Sequence, residues 1–247
     1  MTRRREIHSD PFSLHPPSRP LRVAVLVSGR GSNLQALLDA AAPSGFAVVG
    51  VFSDRATAPA LERARTAGVP AFALDPASHA SREAFDAALF DAVDAVSPDL
   101  VVCAGYLRIL TNDAVVRYAG RMINIHPSLL PLHPGLRTHA RALAEGVGTH
   151  GASVHYVIPA LDAGPVIAQA RVPVRPDDNT AALAARVLER EHPLLVECVR
   201  MIATGRVLQD GSVVLVDSRP LAEPLLLGDD DRLIEPVLIE PVETGTP

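Results

Sequence analysis

The feature that most constrains this chain is a strict alternation of short apolar runs with amphipathic ones between Arg22 and Ile125. Arg22–Val27 is a β-branched run closed by Ser28-Gly29, the pattern of a strand buried on both faces. Similar runs at Phe46–Phe52, Ala71–Leu74, Asp99–Ala104 and Arg121–Ile125 predict further strands. Helical spacing covers Asn33–Ala40, a stretch near Ala58–Ala67, Ser81–Val96 and a stretch near Asn112–Tyr118. Ser81 suits an N-cap, with Phe85, Ala88, Leu89, Ala92 and Val96 along one helical face. A right-twisted strand feeding a right-handed helix folds back only one way, so this repetition predicts a parallel sheet with right-handed crossovers. The expected class is α/β, a Rossmann-like, mostly parallel twisted sheet with helices on both faces. Past residue 137 the pattern changes. Strands at His150–Ile158 and Pro165–Val174 are close enough to pair antiparallel toward the C-terminal edge, and a long helix at Thr180–Thr204 follows.

Composition matters most at the two ends. Residues 1–20 carry Arg3, Arg4 and Arg5 followed by Pro11, Pro16, Pro17 and Pro20, without the apolar core of a signal peptide, and read as a disordered extension. Residues 210–247 hold nine acidic and two basic side chains and read as an acidic, Pro-rich tail. Of its apolar islets, Val213–Val216 is expected to add an edge strand, with the rest, including Leu225–Leu227, loosely docked. The domain proper is then 21–209. Its near-neutral charge argues against nucleic-acid partners and permits a small anion site. No apolar run reaches the roughly 18 residues of a membrane span. The chain has no lysine, so a phosphate or carboxylate site must use Arg, His or backbone N–H groups. Cys103 and Cys198 sit in apolar runs, which points to buried thiols in a reducing, cytoplasmic compartment.

Two regions carry chemistry. Ser28-Gly-Arg-Gly-Ser-Asn33 joins the first strand to the first helix, where glycines allow a tight turn and unpaired N–H groups favour an anion. A dinucleotide fingerprint would place glycine at Leu34, so a small phosphate fits better, although Asp54 could mimic a ribose-binding acid. The second region begins at Asn124-Ile125-His126, where period-two alternation puts Asn124 and His126 on one side of a strand end. An irregular loop with Pro127, Pro131, Pro134 and Gly135 follows, at the sheet edge where α/β proteins bind ligands. Asp162 lies in another turn-rich loop. An amide to donate to an oxyanion, an imidazole to donate or shuttle a proton, and a carboxylate favouring the imidazolium together suit acyl transfer. Ser128 lacks a nucleophile elbow. The spacing of His126, His133 and His139 fits no compact metal motif, so no metal is expected.

Four segments carry a resemblance: Ser28-Gly-Arg-Gly-Ser-Asn-Leu-Gln35, Ala104-Gly-Tyr-Leu-Arg-Ile-Leu110, Asn124-Ile-His-Pro-Ser-Leu-Leu-Pro131 and Leu161-Asp-Ala-Gly-Pro165. In order and without large gaps, from Arg22 to Gln209, they resemble the phosphoribosylglycinamide formyltransferases, a folate-dependent family of purine synthesis. The resemblance implies a formyl transfer from 10-formyltetrahydrofolate to the glycyl amine of phosphoribosylglycinamide. It assigns the catalytic roles to Asn124, His126 and Asp162. Gly31, Ser32 and Asn33 would hold the substrate phosphate and Glu191 its ribose. Arg82, Leu107, Arg108, Ile109 and Leu110, with Asn124 and Asp162, would face the folate, and 158–162 would wrap its pterin. Small-molecule substrates are thus the expected partners, and a homodimer is compatible with the sequence. The family usually has glycine at Ala163 and histidine at Arg137, and a basic or aromatic pair near Leu132-His133; Ala163 would restrict its turn if that position needs positive φ. Formyltetrahydrofolate deformylase shares the trio but usually carries a longer N-terminal regulatory domain. Methionyl-tRNA formyltransferase would need a basic C-terminal barrel. A non-enzymatic nucleotide-binding protein would keep the glycine turn without needing the trio.

Overall fold

The computed structural model describes residues 19–234. Most of the expected N-terminal extension, and 235–247 of the expected tail, lie outside the described residues. The first half alternates as the sequence predicts: β1 (Leu21–Val27), α1 (Ser32–Ala40), β2 (Phe46–Ser53), α2 (Pro59–Thr66), β3 (Ala71–Ala73), α3 (Arg82–Ala95), β4 (Leu100–Cys103), α4 (Asn112–Arg117) and β5 (Met122–His126). The second half holds α5 (Thr138–Glu145), β6 (Thr149–Tyr156), β7 (Val166–Pro173), α6 (Thr180–Ala203), β8 (Val207–Asp210), β9 (Val213–Val216), β10 (Arg219–Pro220), β11 (Leu225–Leu227) and β12 (Leu233–Ile234).

The main sheet has nine strands in the order β12-β11-β7-β6-β5-β4-β1-β2-β3. β1 to β5 pair in parallel, whereas β6 is antiparallel to both β5 and β7. β1 shows why both faces need cover. Val23, Val25 and Val27 enter a core with Leu34 and Leu37 of α1 and Leu194 and Leu195 of α6, while Ala24 and Leu26 pack with Phe85 and Leu89 of α3. Burying each large apolar side chain fully is worth about 1.5–3 kcal/mol, so opposite-facing rows hold a helix layer on each side.

Three local expectations need correction. α3 is N-capped by Ser81, whose Oγ accepts from Ala84 N–H at 3.2 Å, but its buried face is Phe85, Asp86, Leu89, Phe90 and Val93. Phe90 turns inward to meet Tyr118, with ring centroids 5.4 Å apart, while Ala92 and the C-cap Val96 pack partly buried against the same core. α5 is absent from the sequence reading because it lacks the usual start signal: Arg137, in the left-handed conformation at φ 58°, occupies its N-cap. The islet Val213–Val216 does not reach the main sheet. Gly211, at φ 58°, turns it back on β8 to form a separate sheet with β10. Leu225–Leu227 instead takes the main sheet's edge, parallel to β7, with β12 beyond it.

Candidate active site

The turn after β1 is shaped by one contact. Gly31 sits at φ 73°, and a Cβ there would lie 2.6 Å from Ala60 Cβ and 2.9 Å from Ala60 Cα, so only glycine fits. α1 begins immediately after it, with no acidic residue in its first turn and no side-chain cap. Its leading N–H groups and the positive end of the helix are left for an anion. Arg63 of α2 braces the turn, donating from Nε to the Arg30 carbonyl at 2.8 Å and from a terminal nitrogen to Gln35 Oε1 at 3.1 Å.

Asn33 and Glu191 are 158 positions apart, yet Asn33 Nδ2 donates to Glu191 Oε2 at 2.7 Å. This bond brings the expected phosphate turn and the expected ribose acid into one site. Both residues are buried, and Asn33 Oδ1 has no protein partner among the described residues. Burial pushes the Glu191 carboxyl above its ordinary range, and the Asn33 bond offsets part of that rise.

The predicted trio converges at the ends of β5 and the 157–165 loop. His126 Nδ1 lies 3.5 Å from Asp162 Oδ2, and His126 Nε2 donates to the His133 carbonyl at 3.1 Å. Asp162, at φ 48°, also accepts at Oδ2 from Gly135 N–H at 2.8 Å. The turn therefore takes its positive φ at Asp162 rather than at Ala163, and alanine at 163 is accommodated. Gly164 is the glycine this turn requires, because a Cβ there would lie 1.8 Å from the Tyr156 carbonyl oxygen.

The sequence reading missed His155, which faces Asn124 directly across the β5–β6 ladder. Its Nδ1–H donates to the Tyr156 carbonyl at 2.9 Å, so its bare Nε2 accepts from Asn124 Nδ2 at 3.1 Å. Burial lowers its pKa, against weaker raising effects of the Tyr156 bond and the Asp162 charge, which favours this neutral ring. A neutral, buried acceptor orients the amide and leaves its second N–H for another oxygen. An imidazole in the strand run Ala152-Ser-Val-His-Tyr156 was the available signal. Ser153 and Gln169 also escaped notice: Ser153 Oγ donates to the Ser128 carbonyl at 2.7 Å, and Gln169 Nε2 donates to the Leu130 carbonyl at 2.8 Å. Together they anchor the irregular loop after His126.

A cleft of about 580 Å³, including its open mouth, adjoins Asn124 and Asp162. Arg108, Ile109 and Leu110 form one wall, and Ile158, Pro159 and Leu161 form another. Arg108 is steadied over the Phe85 ring, 4.9 Å from its centroid. Leu107 and Arg82 are exposed and do not line the cleft; Arg82 opens α3 beside Glu83. The two halves of the site are joined where Leu107 N–H donates to Ser28 Oγ at 3.0 Å. Cys103 borders the cleft, but burial pushes its thiol up to about 12, which leaves it without nucleophilic character. Asp54 is buried at the end of β2 and is not the acid that meets Asn33. Among the described residues no group of three or more His, Cys, Asp or Glu is arranged to hold a metal ion, and no helix is long and apolar enough to cross a membrane.

The family model for formyl transferases matches residues 21–199. The phosphoribosylglycinamide formyltransferase of Escherichia coli is 45% identical over 203 residues, spanning 81% of this chain and 96% of that one. The enzyme of the same name from Mycobacterium tuberculosis is 46% identical over 195 residues, 78% of this chain and 89% of its own. Among solved structures, the phosphoribosylglycinamide formyltransferase of Coxiella burnetii superposes with a TM-score of 0.80 at 43% identity, covering 83% of this chain and 97% of that one.

Proposed function

This chain belongs to the formyl transferase family, and from that premise we propose that it moves the formyl group of 10-formyltetrahydrofolate onto the glycyl amine of phosphoribosylglycinamide. The observation that carries this reading is the meeting of Asn124, His126 and Asp162 beside an apolar cleft that is bonded, through Ser28 and Leu107, to a helix-start anion site. In this reading Gly31, Ser32 and Asn33 hold the substrate phosphate, and Glu191 takes the ribose. The cleft is lined mostly by apolar side chains with Arg108, Asn124, His155 and Asp162 among them, which suits a flat pterin with polar edges. Arg108, Ile109 and Leu110 would hold the folate there, with Arg82 and Leu107 on its outer portion. All of this lies within 21–209, and the buried, unpaired thiols fit a cytoplasmic setting.

The donor supplies the formyl carbon and, after transfer, departs through its own nitrogen. As the glycyl amine adds, negative charge grows on the formyl oxygen. The second N–H of Asn124 stabilises it, joined by His126 through an Nδ1–H when the ring carries both protons. Asp162, whose Oδ2 lies 3.5 Å from that nitrogen, takes the proton the amine must lose. The same proton serves the departing nitrogen, so a carbon–nitrogen bond forms, another breaks, and no net proton is consumed. Purified protein should form formylglycinamide ribonucleotide only when both substrates are present. Asn124→Ala and Asp162→Ala should each slow turnover at least about a hundredfold while remaining folded, the usual consequence of losing an oxyanion donor or the group that orients one. Formate release without the ribonucleotide would instead mark a deformylase, and near-normal turnover in either variant would remove the trio from the reaction.

A further inference from the structure

The loop after β5 is held at successive residues. Ser128 Oγ donates to the Leu132 carbonyl at 2.7 Å, Arg141 donates to the Pro134 carbonyl at 2.6 Å, and Gly135 N–H donates to Asp162 at 2.8 Å. Among these residues, His133 has φ 54°. A residue with a side chain persists in that left-handed region only where its surroundings hold it there. Here the ring is the holder. It is buried, lies edge-on to His150 with centroids 5.7 Å apart, and donates from Nε2 to Glu145 Oε2 at 2.8 Å. Glu145 is the last residue of α5, so the grip ties the loop to a helix.

The His133 carbonyl that this grip locates is the one that accepts from His126 Nε2 at 3.1 Å. A carbonyl oxygen has no proton to give, so the proton must reside on Nε2. In the neutral ring Nδ1 is then bare, and it is the nitrogen that faces Asp162. At 3.5 Å that contact is longer than a good hydrogen bond, so Nδ1 stays available to a reacting atom.

We propose that His133, gripped by Glu145, is a positioning residue that holds His126 in its Nε2–H tautomer and so reserves Nδ1 for proton exchange in the site. The catalytic consequence rests on the function proposed above; the tautomer itself does not.

The test uses the full chain labelled with ¹⁵N-histidine, whose ring nitrogens report the tautomer in two-bond ¹H–¹⁵N spectra of the resting protein. Wild type should show His126 as Nε2–H alone. His133→Gly keeps the backbone conformation accessible but removes the grip. It should show a mixture of tautomers, with kcat down about tenfold and KM for both substrates within twofold. His133→Gln, whose amide can still reach Glu145, should restore most of both. Glu145→Ala, remote from the cleft, should reproduce the mixture if His133→Gly proves poorly folded. A pure Nε2–H pattern in both of the disrupting variants, or an Nδ1–H pattern in wild type, would overturn the proposal. A wild-type protein that transfers no formyl group would defeat the functional reading while the spectra still decide this one.

Discussion

Glu191 holds its carboxylate where water scarcely reaches, with one amide for company. Burial raises its pKa above the ordinary carboxylate value of 4.5, so the folded chain binds that proton more tightly than the unfolded chain does. Stability contributed by this group is therefore lost as pH climbs from the ordinary pKa through the raised one. Glu191→Gln keeps an acceptor for Asn33 and deletes the charge. The variant should resist urea better than wild type at neutral pH, and the advantage should shrink away near about pH 4, where both states are largely protonated. Its KM for the ribonucleotide should rise about tenfold, the scale of one charge-assisted hydrogen bond. Equal urea midpoints at neutral pH would mean the charge is better solvated than its burial implies. His155 illustrates the opposite use of burial. There a low pKa preserves a bare nitrogen, and that lone pair decides which way the Asn124 amide turns.

At the scale of elements, the site depends on where strands and helices stop. The turn between β1 and α1 places Gly31 against α2, and the first turn of α1 meets Glu191 of α6. Gly31→Val would combine an unfavourable positive φ with a backbone collision at Ala60. It should cost at least about 2 kcal/mol in urea unfolding and weaken ribonucleotide binding more than folate binding. Equal loss of both ligands in calorimetry would count against an anion cradle at this turn. The strand and helix sequence from β1 to β5 was legible because most of these elements carry apolar runs or helical spacing and are bounded by glycine, proline or a capping side chain. α5 was illegible because Arg137 caps it from a left-handed conformation that arginine does not advertise. Asn124, His126 and Asp162 could be named from local context. Their spacing, and the part played by His155, required the β5–β6 register, which no short segment encodes by itself.

For the molecule as a whole, the region after α6 is the least expected part. Leu225 and Leu227 are buried in the same core cluster as Val154 and Ile167. Arg190 fastens the stretch to α6, donating to the Gly228 carbonyl at 2.6 Å and pairing with Asp231 at 2.5 Å. Leu225→Ala should therefore lower unfolding stability by about 2 kcal/mol or more, the toll of an emptied core position, while leaving KM for both substrates unchanged. A change in KM without a change in stability would tie this region to the site instead of to the scaffold. The acidic composition that made 210–247 read as a tail hid these contacts, because two buried leucines weigh little against nine carboxylates in an average. Their position has a further effect. Without β11, the long strand β7 would present its hydrogen-bonding groups to any passing copy of the chain, a template for runaway strand addition. With β11 laid along it and the two-residue β12 outermost, that invitation to stack is largely withdrawn.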